Sequence, residues 1–141
     1  MSVRIARLFG WYLITVALAV GVHFIVEFLY DSPPFTPHRI WFILDWFSLV
    51  GFLACIVAHF RYKESVRDRQ EAVWEKISSN AAFYLSIALA LAFIHNFVGS
   101  LAGGNDDLLF WKFINAIQVP LFAATGWKLS NEKELESGET R

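Results

Sequence analysis

The sequence predicts an all-α integral membrane protein, a four-transmembrane-helix bundle running up and down, and three observations lead there. Of the 141 residues 56% are hydrophobic and 17% aromatic, with six tryptophans and a mean hydropathy of +0.44. That is too apolar for an ordinary soluble domain of this length. Charged side chains also avoid four long windows, at about residues 8–30, 40–60, 81–102 and 108–127. Each window is long enough to cross the bilayer, since about 20 apolar residues rising ~1.5 Å each span its ~30 Å hydrocarbon core. One membrane domain over residues 1–130 and a polar tail at 131–141 follow. The formal net charge of −1 points to no nucleic-acid or acidic partner, so the placement of the charges matters more than their sum.

Arg4 and Arg7 precede the first window, in which Glu27 is the only acidic residue. A basic start and the tripeptide Ala17, Leu18, Ala19 resemble a cleavable signal. Cleavage there would leave a chain beginning in mid-hydrophobic sequence, so an uncleaved helix is expected. Pro33, Pro34 and Pro37 then force a short, stiff connection by removing amide donors. The second window opens with Trp41 and Trp46, expected as interfacial anchors, and carries Asp45 near its start. Cys55, the one cysteine, falls inside it, which excludes an internal disulfide and reads as a small buried hydrophobe.

Residues 61–78 are expected to form a charged cytoplasmic loop, solvated or carrying helical extensions in which Val66, Val73, Trp74 and Ile77 mark an apolar side. The third window contains His95 and Asn96 and ends at the turn signal Gly103, Gly104, Asn105. The fourth contains Asn115, Gln118 and Pro120, and neighbouring helices can satisfy the carbonyl that this proline frees.

Basic residues set the expected orientation. Arg4, Arg7, Arg61, Lys63, Arg67, Arg69, Lys76, Lys128 and Lys133 fall on one side, against Arg39 and Lys112 on the other. Both termini should therefore be cytoplasmic, with a bacterial inner (plasma) membrane as the expected location. In that topology His23, Glu27, Asp45, Ser48, His95, Asn96, Asn115 and Gln118 share the outer half of the bilayer and form one intramembrane polar layer. Helical spacing groups Thr15, Ala19, His23 and Glu27 on one stripe. Ala88, Ala92, His95 and Gly99 form a second stripe, and Asp45, Ser48, Phe52 and Cys55 a third. Small residues on two of these stripes would let helices approach closely.

An internal repeat is also expected. Trp41, Asp45, Ser48, Phe52, Ala54 and Cys55 match Trp111, Asn115, Gln118, Phe122, Ala124 and Thr125 at one constant offset, and His23 matches His95 at nearly the same offset. The chain would be a duplicated helical hairpin whose axis lies along the membrane normal and brings His23 towards His95.

Several chemistries suit such a layer. His23, Glu27, Asp45 and His95 are ligand types for a transition metal, although no tight spacing motif accompanies them. His23 and His95 at matched depth would suit a haem b, though two acidic groups beside a porphyrin argue against it. A buried carboxylate beside an imidazole suits proton-coupled transport by an oligomer, an analogy with small four-helix exporters. The fourth use is structural, with hydrogen bonds of about 1 kcal/mol each fixing helix register. His38 and His59 are expected to be solvated. Serines occur without a nucleophile elbow, the glycine pair is a turn rather than a phosphate cradle, and the loop lacks a nucleic-acid surface. The favoured expectation is an accessory or anchoring subunit of a larger membrane complex, with membrane-protein partners or copies of itself. A metal- or haem-b-binding electron-transfer protein and a proton-coupled small transporter are the alternatives.

Overall fold

The Ser2 hydroxyl accepts the amide of Ile5 at 3.4 Å and so starts the first helix, α1, Val3–Val26. In the computed structural model, which describes residues 2–30, 34, 36–67, 73–103 and 108–131, every regular element is helical. α1 ends in a 3-10 turn, Glu27–Leu29, rather than continuing to Tyr30, which is extended at φ −146°. α2, Pro37–Arg67, begins with a proline whose fixed φ and missing donor suit a first helical position, and the Thr36 carbonyl accepts the amides of Arg39 and Ile40. α3 is Val73–Leu101 and is followed by Gly103 at φ 73°, a left-handed conformation that glycine adopts without penalty. α4 is Leu108–Ser130.

Two helices outlast their apolar windows. α2 runs for 31 residues, about 46 Å, and α3 for 29, so most of the loop expected at 61–78 is helix. Hydropathy stops where charge begins, but Arg, Lys and Glu are good helix formers, and the helix continues through them. Val66 and Ser79, each 2% exposed, keep α2 and α3 packed in this region, with the Lys63 ammonium over the rings of Phe83 and Tyr84. Val73, Trp74 and Ile77 are exposed. Arg69, Gly104, Asn105 and Lys133 lie outside the described residues.

α1 packs along α4 and α2 along α3; α2 and α4 meet across the middle, while α1 and α3 barely touch. α1 and α4 come to backbone contact: a Cβ on Gly10 would stand 2.8 Å from the Gly126 carbonyl oxygen and 2.6 Å from the Ser130 nitrogen. α2 and α3 meet through rings, Phe52 on Phe93 and Trp46 on Phe97, both pairs at 5.1 Å between centroids. The Tyr12 hydroxyl ties α1 to α2 by donating to the Phe47 carbonyl at 2.7 Å.

α1, α2 and α3 are each long and apolar enough to cross a membrane, consistent with an integral membrane protein. α4 is interrupted by Lys112, Asn115, Gln118 and Lys128 and does not meet the same measure.

The buried stripes differ from the expected ones on two helices. α1 buries Ala6, Leu13, Val16, Ala17, Val20 and His23, while Thr15 and Ala19 are exposed. α3 buries Ser79, Ser86, Leu89, Ala90, Phe93 and Phe97, while Ala88, His95 and Gly99 are exposed. Steps of four advance about 40° around a helix, so a run of fours drifts off any face that alternating threes and fours hold. On α2 the expected stripe is the buried one: Ser48, Phe52 and Cys55 are each at most 2% exposed.

Candidate functional site

The end of the bundle that holds the α1–α2 turn, here the distal end, carries the densest polar chemistry. His23 sits on the last full turn of α1 and is 5% exposed. Its Nδ1 lies 2.7 Å from the Tyr30 hydroxyl, brought back over the helix by the 3-10 turn, and its ring packs on Trp41 at 4.5 Å between centroids. The Trp41 indole in turn donates from Nε1 to Glu27 Oε2 at 2.6 Å. His23 and Glu27 are therefore joined through Trp41. Among the described residues His23 Nε2 makes no hydrogen bond of ordinary geometry, although the Pro37 backbone lies close enough to act on the ring. Trp41, expected as an interfacial anchor, is half-buried and serves as the hinge of this cluster. Its position one turn before Asp45, on the stripe that continues through Ser48 and Phe52, was the signal for that role.

Beside this cluster lies a cavity of about 120 Å³. Its polar lining is Glu27, Asp45, His38, Lys112, Ser100 and Asn115, and Trp41 and Trp111 form its aromatic walls. His38, expected to be solvated, and Lys112, a marker of orientation in the sequence, both belong to this lining.

From the cavity a line of residue pairs follows the contact between α2 and α4. The Gln118 amide, fully buried, donates to Ser48 Oγ at 2.6 Å and leaves Oε1 without a partner. Phe52 packs edge-on against Phe122 at 4.9 Å, with Phe93 closing the layer. Cys55, fully buried, then lies beside Thr125. The Thr125 hydroxyl donates to the Leu121 carbonyl at 2.7 Å, so its oxygen accepts from His59 Nε2 at 2.9 Å. His59, expected to be solvated, is half-buried through this bond. The polar line is thus interrupted at its centre by three phenylalanine rings.

The expected layer assembles only in part. His23, Ser48, Asn115 and Gln118 are buried, and Glu27, Asp45 and Asn96 are partly so, with Asn96 Nδ2 unpartnered. His95 is exposed on α3, diagonally across from α1, and does not oppose His23. The buried positions of α1 and α3 correspond at an offset of 73, as in Val16 with Leu89 and Val20 with Phe93, which pairs His23 with Asn96. A haem held between His23 and His95 does not fit this arrangement. Nor does the metal set His23, Glu27, Asp45 and His95, since among the described residues no three His, Cys, Asp or Glu side chains converge as ligands.

No protein-family model, curated protein or solved structure matches the chain. The functional reading rests on the geometry.

Proposed function

We propose that the chain is a small polytopic subunit that accompanies or anchors a larger membrane assembly, docking through the outward face of α3. The observation that carries this reading is His95, an exposed imidazole without a hydrogen bond among the described residues, on a membrane-length helix, with the exposed Ala88 and Gly99 and the half-buried Ala92 on the same stripe. An imidazole facing lipid is costly, and small side chains around it let another helix come close enough to bond it. The buried pair Ser48 with Gln118 has a separate role, fixing the register of α2 on α4.

In this reading α4 is the fourth span. Its polar residues Asn115, Gln118 and Thr125 are turned inward, so hydropathy understates how apolar its outer surface is. The distribution of basic residues supports a cytoplasmic position for both termini. We also read the bundle as a duplicated hairpin. Support comes from Ser48 with Gln118, Phe52 with Phe122 and Cys55 with Thr125, which meet in pairs 70 positions apart across the α2–α4 contact.

Native gels in mild detergent test the subunit reading. The chain should migrate in a complex much larger than 16.1 kDa, and His95→Leu with Gly99→Leu should release it without lowering its melting temperature. Migration of the wild type only as a monomer or homodimer overturns the proposal.

A second reading rests on the distal cavity, where Glu27 and Asp45 face Lys112 and two indoles. Such a site suits proton-coupled handling of a small solute by an oligomer. Glu27→Gln should then abolish pH-dependent flux in proteoliposomes, and unchanged flux removes this reading.

A further inference from the structure

The contact between α2 and α4 has a cavity at each end. The distal one is that beside Glu27, and the other, of about 170 Å³, is lined by His59, Tyr62 and Ser65 of α2 and Thr125 of α4, together with Arg61 and Lys128. Hydrogen-bonding side chains run from each cavity into the seam. Asn115, in the distal lining, stands one turn from Gln118 on α4, and Gln118 donates to Ser48. From the other side Thr125 accepts from His59 and lies beside Cys55. Between Gln118 and Thr125 the helix advances about 10 Å. Phe52, Phe93 and Phe122, each at most 1% exposed, fill that interval.

Two details mark the rings as a barrier within a path rather than as ordinary core. Gln118 Oε1, fully buried on the distal side of the layer, accepts no hydrogen bond among the described residues, and a buried amide oxygen of that kind is a place for a water. The second detail is the seat of Phe122. Its ring lies in the notch that Gly51 leaves on α2, where a Cβ would overlap it. Phe52 and Phe93 belong to the α2–α3 pair and Phe122 to the α1–α4 pair, so parting the two pairs withdraws Phe122 and leaves the other two rings together. A layer without hydrogen-bond partners stops a file of waters, and a seam that is polar on both sides of it rewets once the layer separates.

We propose that the seam between α2 and α4 is a proton pathway through one copy of the chain, closed in this state by the rings of Phe52, Phe93 and Phe122. Each water or hydroxyl along it takes up a proton on one side and releases one on the other, so nothing is consumed and the proton gradient sets the direction. Glu27, Asp45 and His38 at the distal end and His59 at the other exchange the proton with the cavities. The pathway deepens the proton-coupled reading above, resting on the same carboxylates as its point of entry, but it needs neither a solute nor a second copy.

The test is proton flux in proteoliposomes of the full chain, with a pH step imposed, the membrane potential clamped by potassium and valinomycin, and a trapped pH dye as the readout. Wild type should conduct little. Phe122→Ala should raise the flux at least about ten-fold, because the barrier is one layer without hydrogen-bond partners. Phe97→Ala removes another buried ring, outside the seam, and should leave the flux at the wild-type level. Gln118→Met added to Phe122→Ala should abolish most of the rise, since it removes the last polar group before the layer, and sodium flux should stay at background throughout. Where Phe122→Ala fails to fold by gel filtration, Phe52→Leu with Phe122→Leu keeps the layer apolar and should give a smaller rise of the same kind. Folded layer variants that conduct no more than wild type overturn the proposal. A leak that Phe97→Ala reproduces, or that carries sodium, also overturns it. Glu27→Gln separates the two readings. If it abolishes pH-dependent solute flux while Phe122→Ala conducts no protons, the pathway falls and the proton-coupled reading stands. If it leaves solute flux unchanged while Phe122→Ala conducts, that reading falls and the pathway stands with Asp45 as its entry.

Discussion

Along α1 and α4 two backbones touch at Gly10 and Gly126, whereas α2 and α3 are held apart by rings, Phe52 against Phe93 and Trp46 against Phe97. In lipid both contacts must be held by packing, because lipid tails are as apolar as the side chains they would replace. The first contact excludes every side chain at its centre, while the second consists of side chains. Most buried positions recur on α1 and α3, yet Val20 in one corresponds to Phe93 in the other, and the buried Gly10 to the half-buried Phe83. The α1–α4 contact should therefore fail abruptly on substitution, and the α2–α3 contact by degrees.

The largest effect is expected at the glycines. A Cβ on Gly126 would come within 2.7 Å of the Gly10 carbonyl oxygen and 2.9 Å of the Ile14 side chain, and a backbone atom cannot step aside as a rotamer can. Gly10→Val or Gly126→Val should cost about 3 kcal/mol or more, at the upper end of overpacking penalties. Gly99→Val, where nothing lies within 4 Å, should leave stability unchanged. Thermal unfolding followed by gel filtration in detergent measures all three. Loss of stability in Gly99→Val equal to that in Gly10→Val would remove the contrast between the two contacts.

Phe93→Ala comes next. Phe93 is fully buried and touches Phe52, Phe97 and Trp111, so its removal leaves a cavity shared by α2, α3 and α4. Large-to-small changes in soluble cores cost the transfer of the deleted group plus the cavity; in lipid most of the transfer part disappears, leaving roughly 1–3 kcal/mol. Phe93→Leu should recover much of that loss. If Phe93→Ala melts lower than Gly10→Val, the ranking of the two contacts is reversed.

The parts of this arrangement legible in the sequence are those that composition controls. An apolar chain with charges excluded from long windows has to be helical in a membrane, and the stripe through Ser48, Phe52 and Cys55 follows from spacing on one helix. His95 shows where spacing fails. His23 and His95 lie at matching depth, but facing is set by rotation, and Val20 with Phe93 puts Asn96 rather than His95 opposite the buried position. One residue of shift turns a helix by about 100°, enough to move a side chain from the core to the lipid. The link from His23 to Glu27 was hidden for another reason. Trp41 is as plausible at an interface as in a cluster, and only the 3-10 turn after Val26 brings Glu27 within reach of its indole. The helix ends at Arg67 and Val73 were hidden because charged residues extend a helix that hydropathy does not follow.

The smallest expected effect lies at the contact between α2 and α4, where the two helix pairs meet. Ser48 accepts from Gln118, and both are within 2% of full burial, so neither can turn to lipid or water for a replacement. Ser48→Ala should cost about 1 kcal/mol, because it leaves the Gln118 amide unpaired as well as its carbonyl. Gln118→Met removes the unpaired Oε1 together with the amide at nearly constant volume, and should change stability by less than about 0.5 kcal/mol. With Met already at 118, Ser48→Ala should cost little, so a double-mutant cycle isolates the bond as a coupling of about 0.6–1.5 kcal/mol. If both single variants and the double one melt together, the polar pair does not fix the register of α2 on α4. The phenylalanine layer formed by Phe52, Phe93 and Phe122 would then hold that contact alone, and the two helix pairs would be joined by shape rather than by a bond.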